Sequence, residues 1–340
     1  MATLETQQLD EIIVNTRRKM LTMGGAALAA LAFGGTTKAE AQSTTTGDQD
    51  ILNFALNLEY LEAQYYNLAV SGVTIDQLPT PIPVAVNGGT AGSVTLKPSF
   101  AKVPFASSIV AAYAAETAIE EGKHVIFLQK TLGKVAVSMP DIDLFTSFNA
   151  LAALANIGTA FDPFASDANF LIGAYIFEDV GVSAYHGAAP LITDKTNVLP
   201  AAVGIHAVEA YHAGLVRTVI SVFDNGVSTG PLSTMTQAIS AARSKLANPD
   251  PDPKNAITVP FTTFAGTTAD DLGVQSAAVG LNSSSTTTTF PSSTIANTDL
   301  NALGWSRNST QILAIVTGNP ATATSFQGGF FPSGLNGNIA

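Results

Sequence analysis

Cysteine is missing from all 340 residues, which excludes disulfides, thiolate metal sites and iron–sulfur clusters. Charge is scarce: 12% of the residues are Asp, Glu, Lys or Arg, and 15 bases against 26 acids leave a net −11. No run of Lys or Arg follows the first 20 residues, which argues against a nucleic-acid partner and against an anionic membrane surface. No segment beyond the N-terminal region has the length of apolar sequence that a bilayer requires. What the chain does have is apolar residues, 46% of the total, ample for the core of one large domain or two smaller ones. Disorder as a global description is excluded by the same figure.

The first 41 residues read as an address. Arg17 and Arg18 precede a weakly apolar run from Met20 to Gly35, and Ala39-Glu40-Ala41 offers an A-x-A cleavage site before Gln42. The pattern resembles a bacterial twin-arginine export signal, which implies a folded mature chain in the periplasm or outside the cell. An uncleaved N-terminal anchor is the alternative. Removing 1–41 takes away Arg17, Arg18, Lys19 and Lys38 with Glu5, Asp10, Glu11 and Glu40, so the mature charge stays at −11.

Five segments carry the apolar period of a helix, bounded by Gly and Pro: Asp48 to Leu68, Phe105 to Leu132, Phe164 to Tyr185, Ala201 to Asn225 and Leu232 to Leu246. Ile142 to Ala155 is a weaker sixth. Thr74 to Val103, rich in Pro, Gly and β-formers, reads as a long excursion between the first two helices. Residues 42–248 are therefore expected to form a helical bundle. Residues 249–340, dense in Ser, Thr and Gly with one helical piece near Thr310 to Val316, form an extension that either packs on the bundle or is partly disordered.

Certain acids fall on the wrong face of these helices. At about 100° per residue, Glu121 and His124 share the apolar stripe with Ala114, Ala118, Val125 and Leu128, whereas Glu116, Glu120, Lys123 and Lys130 fall opposite. Glu209 and His212 repeat that i, i+3 pair among Ala202, Ile205, Ala213, Val216 and Ile220. Glu178 lies among Leu171, Ala174, Val182 and Tyr185, and Glu59, Glu62 and Tyr66 share an arc of about 60°. A lone carboxylate in a low-dielectric core costs several kcal/mol, and several together repel one another. Two divalent cations would neutralise them, with two imidazoles completing the shell. Inward Glu from two helices and Glu-x-x-His from two others is the pattern of di-iron and di-manganese bundles.

A single Glu-x-x-His is more often a surface pair; two copies on apolar stripes, each preceded by an inward Glu, are more specific. For the first-helix ligand, Glu59 is preferred because Tyr66 stacks on its face two turns on; Glu62 is a supporting partner or the solvated edge. His206, on the rim of its stripe, is a supporting residue or a structural histidine. His186 reads as a helix-end residue, and Arg217 is expected to pair with a ligand carboxylate or with Glu62. Tyr113 and Tyr175 are core packing or redox-active phenols.

The stretches ALNLEYLEAQYY at 55–66, EGKHVIFLQKTLG at 121–133, FEDVGVSAYHGAAPLI at 177–192, HAVEAYHAGLVRT at 206–218 and GGFFPSGLNG at 328–337 resemble the ferritin-like family that includes plant desiccation-related proteins. The resemblance implies an all-α fold: a ferritin-like four-helix bundle with additional helices, a long insertion between the first two and an irregular C-terminal extension. It also implies that Glu59, Glu121, His124, Glu178, Glu209 and His212 hold two Fe or two Mn ions, with Glu62, Tyr66 and His206 around them. The expected partner is a small oxidant, peroxide or dioxygen, with no nucleic acid and no membrane after signal removal; homo-oligomer formation stays open. Without cysteine, the rubredoxin-type relay of rubrerythrins is absent. A non-enzymatic, stress-protective scaffold with a structural metal is the alternative.

Overall fold

Helix-forming segments end where the backbone must change hand or where a side chain can take over an orphan amide. The computed structural model describes residues 46–248, 257–259, 262–264, 271–274, 276–283, 286–293, 295–298 and 303–340. The stretch 1–41 expected to be an export signal lies outside them. Helix α1 spans Thr46–Ser71 and stops at Gly72, whose positive φ of 81° suits glycine. Helix α2, Ser108–Leu132, starts where the Ser107 hydroxyl accepts from the Val110 amide at 3.3 Å, and ends at Gly133. Helix α3 spans Thr146–Leu154, and α4 spans Asp167–Ala188 behind the Ser166 cap. Helix α5, Val198–Phe223, begins before Pro200 rather than after it, because a proline in the first turn forfeits no intrahelical bond. Helix α6 is Pro231–Ala247, and α7, Ser309–Thr317, carries a full capping box from Asn308 and Gln311.

Two helix pairs, α1 with α2 and α4 with α5, build the bundle, and α1 meets α4 while α2 meets α5. Leu56, Tyr60, Ala63, Val110, Val125 and Ile220 are buried between them. The expected all-α, ferritin-like bundle with added helices is the observed architecture. Short strands are peripheral: β1, Val94–Thr95, pairs in parallel with β2, Ile142–Asp143, so the excursion between α1 and α2 is anchored beside α3. Two antiparallel ribbons follow the bundle: β3, Ile257–Val259, with β4, Thr262–Phe264, and β5, Ser276–Ser283, with β6, Thr286–Ser293. Among the described residues no helix is long and apolar enough to cross a membrane.

The described end of the extension packs on the bundle. Helix α7 lies against α4 and α6, and Phe330 sits 4.9 Å from the Phe177 ring and 5.1 Å from Phe148, centroid to centroid. Asn57 of α1 accepts from the Asn336 amide at 2.9 Å and donates to its carbonyl at 2.8 Å, clamping the C-terminal segment to the first helix. Gly187 does not stop α4, as its sequence position suggests. It lets the chain at Arg307 pass so close that a β-carbon would lie 1.8 Å from the Arg307 carbonyl oxygen.

A buried ionic network makes the second tie. Asp179 accepts from Arg217 at 2.9 Å and from Arg243 at 3.1 Å, and Asp271 faces Arg243 at 3.0 Å and Arg307 at 2.8 Å. Arg217 is therefore not a partner of a ligand carboxylate or of Glu62: two turns beyond Glu209 it points to Asp179 and to the carbonyls of Leu272 and Ile295. Tyr175 belongs to this network, within 3.1 Å of Arg243, and not to the acidic cluster described next. Tyr113 is half-buried packing at the edge of the core.

Candidate metal centre

Six side chains from four helices converge inside the bundle. From α1 comes Glu59, from α2 Glu121 and His124, from α4 Glu178, and from α5 Glu209 and His212; all six are buried, the four glutamates at 0–1% exposure. The i, i+3 pairs reach the same point because each side chain leans back one turn along its helix. His124 Nδ1 lies 3.1 Å from Glu59 Oε2, 3.2 Å from Glu121 Oε2 and 3.6 Å from Glu209 Oε1. His212 Nδ1 lies 2.9 Å from Glu121 Oε1 and 3.4 Å from Glu178 Oε2. Two ligand groups result: Glu59, Glu121, His124 and Glu209 in one, Glu121, Glu178 and His212 in the other, with atoms inside each group within 4.8 Å of one another. Glu121 offers one oxygen to each group.

The donor set fits cations better than it fits hydrogen bonds. Glu121 Oε1, Glu178 Oε2, both oxygens of Glu209 and His212 Nδ1 are buried without a hydrogen-bond partner. Orphaned buried acceptors cost about 1–3 kcal/mol each, more for charged ones. Oxygen and imidazole nitrogen are the ligands of Fe and Mn. With only the protein's own charges, the cluster must hold protons instead. Burial pushes Glu59 up to about 7, partly offset by His124, and burial likewise raises Glu178, Glu62 and Glu209, the last two well above the usual carboxylate range. Burial also opposes ionisation of Glu121, but His124 and His212 overcome it and hold that carboxyl below its ordinary value. Burial opposes the charged imidazoles too; Glu59 and Glu121 outweigh it at His124, and Glu178 with Glu120 at His212, so both rise well above 6.5.

Outer partners fix the ligand side chains. The Tyr66 hydroxyl on α1 donates to Glu178 Oε1 on α4, and the Tyr185 hydroxyl on α4 donates to Glu59 Oε1 on α1. Each phenol leaves the other carboxylate oxygen facing the cluster. His212 Nε2 lies 2.7 Å from Glu120 Oε2, the arrangement that assigns the proton to Nε2 and frees Nδ1. Glu62 is 4% exposed beside the cluster, so it is not on a solvated edge. His206 is not brought to it: its ring lies 5.8 Å from that of His186, whose Nδ1 lies 3.2 Å from the Trp305 carbonyl oxygen.

Three partners escaped the sequence reading. Tyr185 stands seven residues after Glu178, the same spacing as Tyr66 after Glu59, so its signal was present. Glu120 sits about 100° from Glu121 and reads as solvent-facing; only the approach of α5 makes it a partner of His212. Gly181 has no side chain to notice, yet a β-carbon there would lie 2.2 Å from Glu209 Oε2.

A four-helix bundle with Glu, Glu-x-x-His, Glu, Glu-x-x-His turned into its core is a carboxylate-bundle protein by both fold and site. A family model for the ferritin-like domain matches residues 47–222, and the chain belongs to that family. It is similar to the desiccation-related protein PCC13-62 of Craterostigma plantagineum, 29% identical over 209 residues, which are 59% of this chain. The match spans 63% of that relative's length. No solved structure matches.

Proposed function

We propose that the cluster binds two redox-active ions, Fe or Mn, and that the protein acts on peroxide or dioxygen in oxidative or desiccation stress after export to the periplasm or beyond. The observation that carries this reading is the set of orphaned buried donors, shared between two groups through Glu121. Glu59, Glu121, His124 and Glu209 would hold one ion, and Glu121, Glu178 and His212 would hold the other. When bound, such a pair supplies two adjacent centres able to change oxidation state against one small oxygen substrate.

The chain's own residues do the rest. Tyr66 and Tyr185 hold the terminal carboxylates in one orientation, and Glu120 holds the His212 tautomer. The apolar walls exclude bulk water, so the site admits only small molecules. Dismutation of peroxide requires no external electron donor, which suits a chain without cysteine. Metal analysis with a peroxide-decay assay tests the reading: about two equivalents and turnover support it, and less than about half an equivalent after loading overturns it.

The closed geometry favours a second reading, a stress-protective scaffold. Every named ligand is at most 9% exposed, and the extension is clamped to the helices at Asn57 and at Arg243, which faces Asp271. Metal-dependent melting without turnover of peroxide or dioxygen would select it.

A further inference from the structure

Acids are missing from two stretches that the fold lays side by side. Residues 77–115 and 122–140 carry Lys97, Lys102, Lys123, Lys130 and Lys134 and not one Asp or Glu, in a chain whose net charge is −11. The excursion after α1 runs back along α2: Ile82 reaches Gly122, where a β-carbon would lie 2.8 Å from its Cδ1. Further on, Gln129 Nε2 donates to the Pro83 carbonyl at 2.6 Å, and Asn87 Nδ2 donates to the Gly133 carbonyl at 3.0 Å and that of Ala136 at 2.9 Å. The opposite edge of the segment is held by Val86, whose amide donates to Ser138 Oγ at 3.1 Å, and by Val84, whose carbonyl accepts from the Met139 amide at 2.9 Å. Bonded along both edges, residues 83–87 form a fixed wall.

Between this wall and α2 lies a groove of about 520 Å³, within the range of roughly 300–1,000 Å³ usual for small-molecule sites. Pro83, Val86, Ile126 and Ala136 make it apolar, and Lys130 is the one charged residue that lines it. Ile126 is 47% exposed, hydrocarbon left open to water on a concave surface. Lys130 is exposed, and among the described residues no carboxylate forms an ion pair with it. The last carbonyls of a helix repel an anion, but here the Asn87 amide occupies those of Gly133 and Ala136. No aromatic ring is present to stack on a base or a sugar. A lysine is a point charge rather than a planar fork, so it suits a single anionic group. From Ile126 to Gly133 the helix rises about 10 Å, which suits an extended chain.

We propose that this groove binds a monocarboxylate with an unbranched alkyl chain, a fatty acid of medium length. Its chain lies against Ile126, Pro83 and Val86, and its carboxylate meets Lys130. The net charge of the chain repels anions from most of its surface, so the attraction is local to this acid-free face. The site is separate from the acidic cluster, because Lys130 falls on the face of α2 opposite Glu121.

Calorimetric titration of the full chain with decanoate, and with uncharged decanol, tests this. One decanoate per chain is expected, bound more tightly than decanol, with the difference shrinking in 0.5 M salt at a Debye length of only about 4 Å. Lys130→Gln should weaken decanoate about three- to fivefold, the reach of one exposed charge pair, and leave decanol unchanged. Ile126→Glu should weaken both by about tenfold or more, and Lys245→Gln, exposed on α6, should change neither. Decanoate bound equally by all four chains, or by none, would overturn the proposal. Co-sedimentation with phosphatidylglycerol vesicles without decanoate binding would assign this face to a membrane and overturn it too. Should I126E not fold, Lys130→Glu, on the exposed rim, should weaken decanoate more than K130Q does; an affinity equal to that of the unmodified chain would refute the assignment.

Discussion

Stripping the metal should make stability fall as pH rises, the reverse of what an acidic protein rich in ordinary ion pairs does. Glu59 titrates at about 7 in the native chain against 4.5 for an ordinary glutamate. Between those values the folded form holds a proton that the unfolded form has released. At about 1.4 kcal/mol per proton per pH unit, Glu59 alone removes roughly 3 kcal/mol of stability across the interval. Glu62, Glu178 and Glu209 are raised and act in the same direction. His124 and His212 are raised as well, so their contribution is full below about 6.5 and is lost as pH climbs through their native values. Glu121 is lowered and acts oppositely, but its stabilisation is lost only below the ordinary value of 4.5. A domain of this size loses about 2–4 °C per kcal/mol, so a chelator-treated sample should melt roughly 5–10 °C lower at pH 7 than at pH 5. Ions bind the deprotonated ligands, so the loaded protein should show the opposite slope. Circular dichroism melts of both forms at half-unit pH steps read this directly. A metal-free Tm that is flat or rises over pH 5–7 would refute the reasoning.

Two substitutions probe the supports of the cluster, and a third probes the tie of the C-terminal segment. Gly181→Ala places a methyl in the space of Glu209 Oε2, 2.2 Å away, and should destabilise by about 1–3 kcal/mol in denaturant melts while weakening metal binding. Tyr185→Phe removes the hydroxyl that holds Glu59 and should cost about 10- to 100-fold in metal affinity by competition with a chelator, with the helical spectrum unchanged. Asp271→Asn leaves Arg243 and Arg307 without their shared carboxylate. It should cost about 3–5 kcal/mol and expose the C-terminal segment to limited proteolysis.

The parts of this molecule legible in its sequence are those decided within one helix. The five strong helices follow from apolar period and Gly or Pro punctuation, because a turn of helix is closed by residues at most four apart. The acidic cluster followed too, since Glu121 with His124 and Glu209 with His212 each sit on a stripe that is otherwise hydrocarbon. Contacts between helices were not legible. Glu120 meets His212 across 92 residues and Tyr66 meets Glu178 across 112, and both depend on the packing register of separate helices. Arg217 was misassigned for the same reason: its partner Asp179 is the residue beside Glu178, one face away. Apart from the helical piece near Thr310 to Val316, the extension has no period to read. It is held by isolated anchors, Asn336 on Asn57, Phe330 on Phe177 and Asp271 on Arg243, which local sequence does not announce.

Equilibrium dialysis of the full chain against Fe2+ or Mn2+ at neutral pH, beside Glu121→Gln, tests most directly whether buried acids are tolerated here because cations join them. About two ions per unmodified chain and at most one in E121Q, which removes the carboxylate common to both groups, is the result predicted. A folded, unmodified chain that binds no metal, or an E121Q chain that binds two as tightly as before, would contradict it.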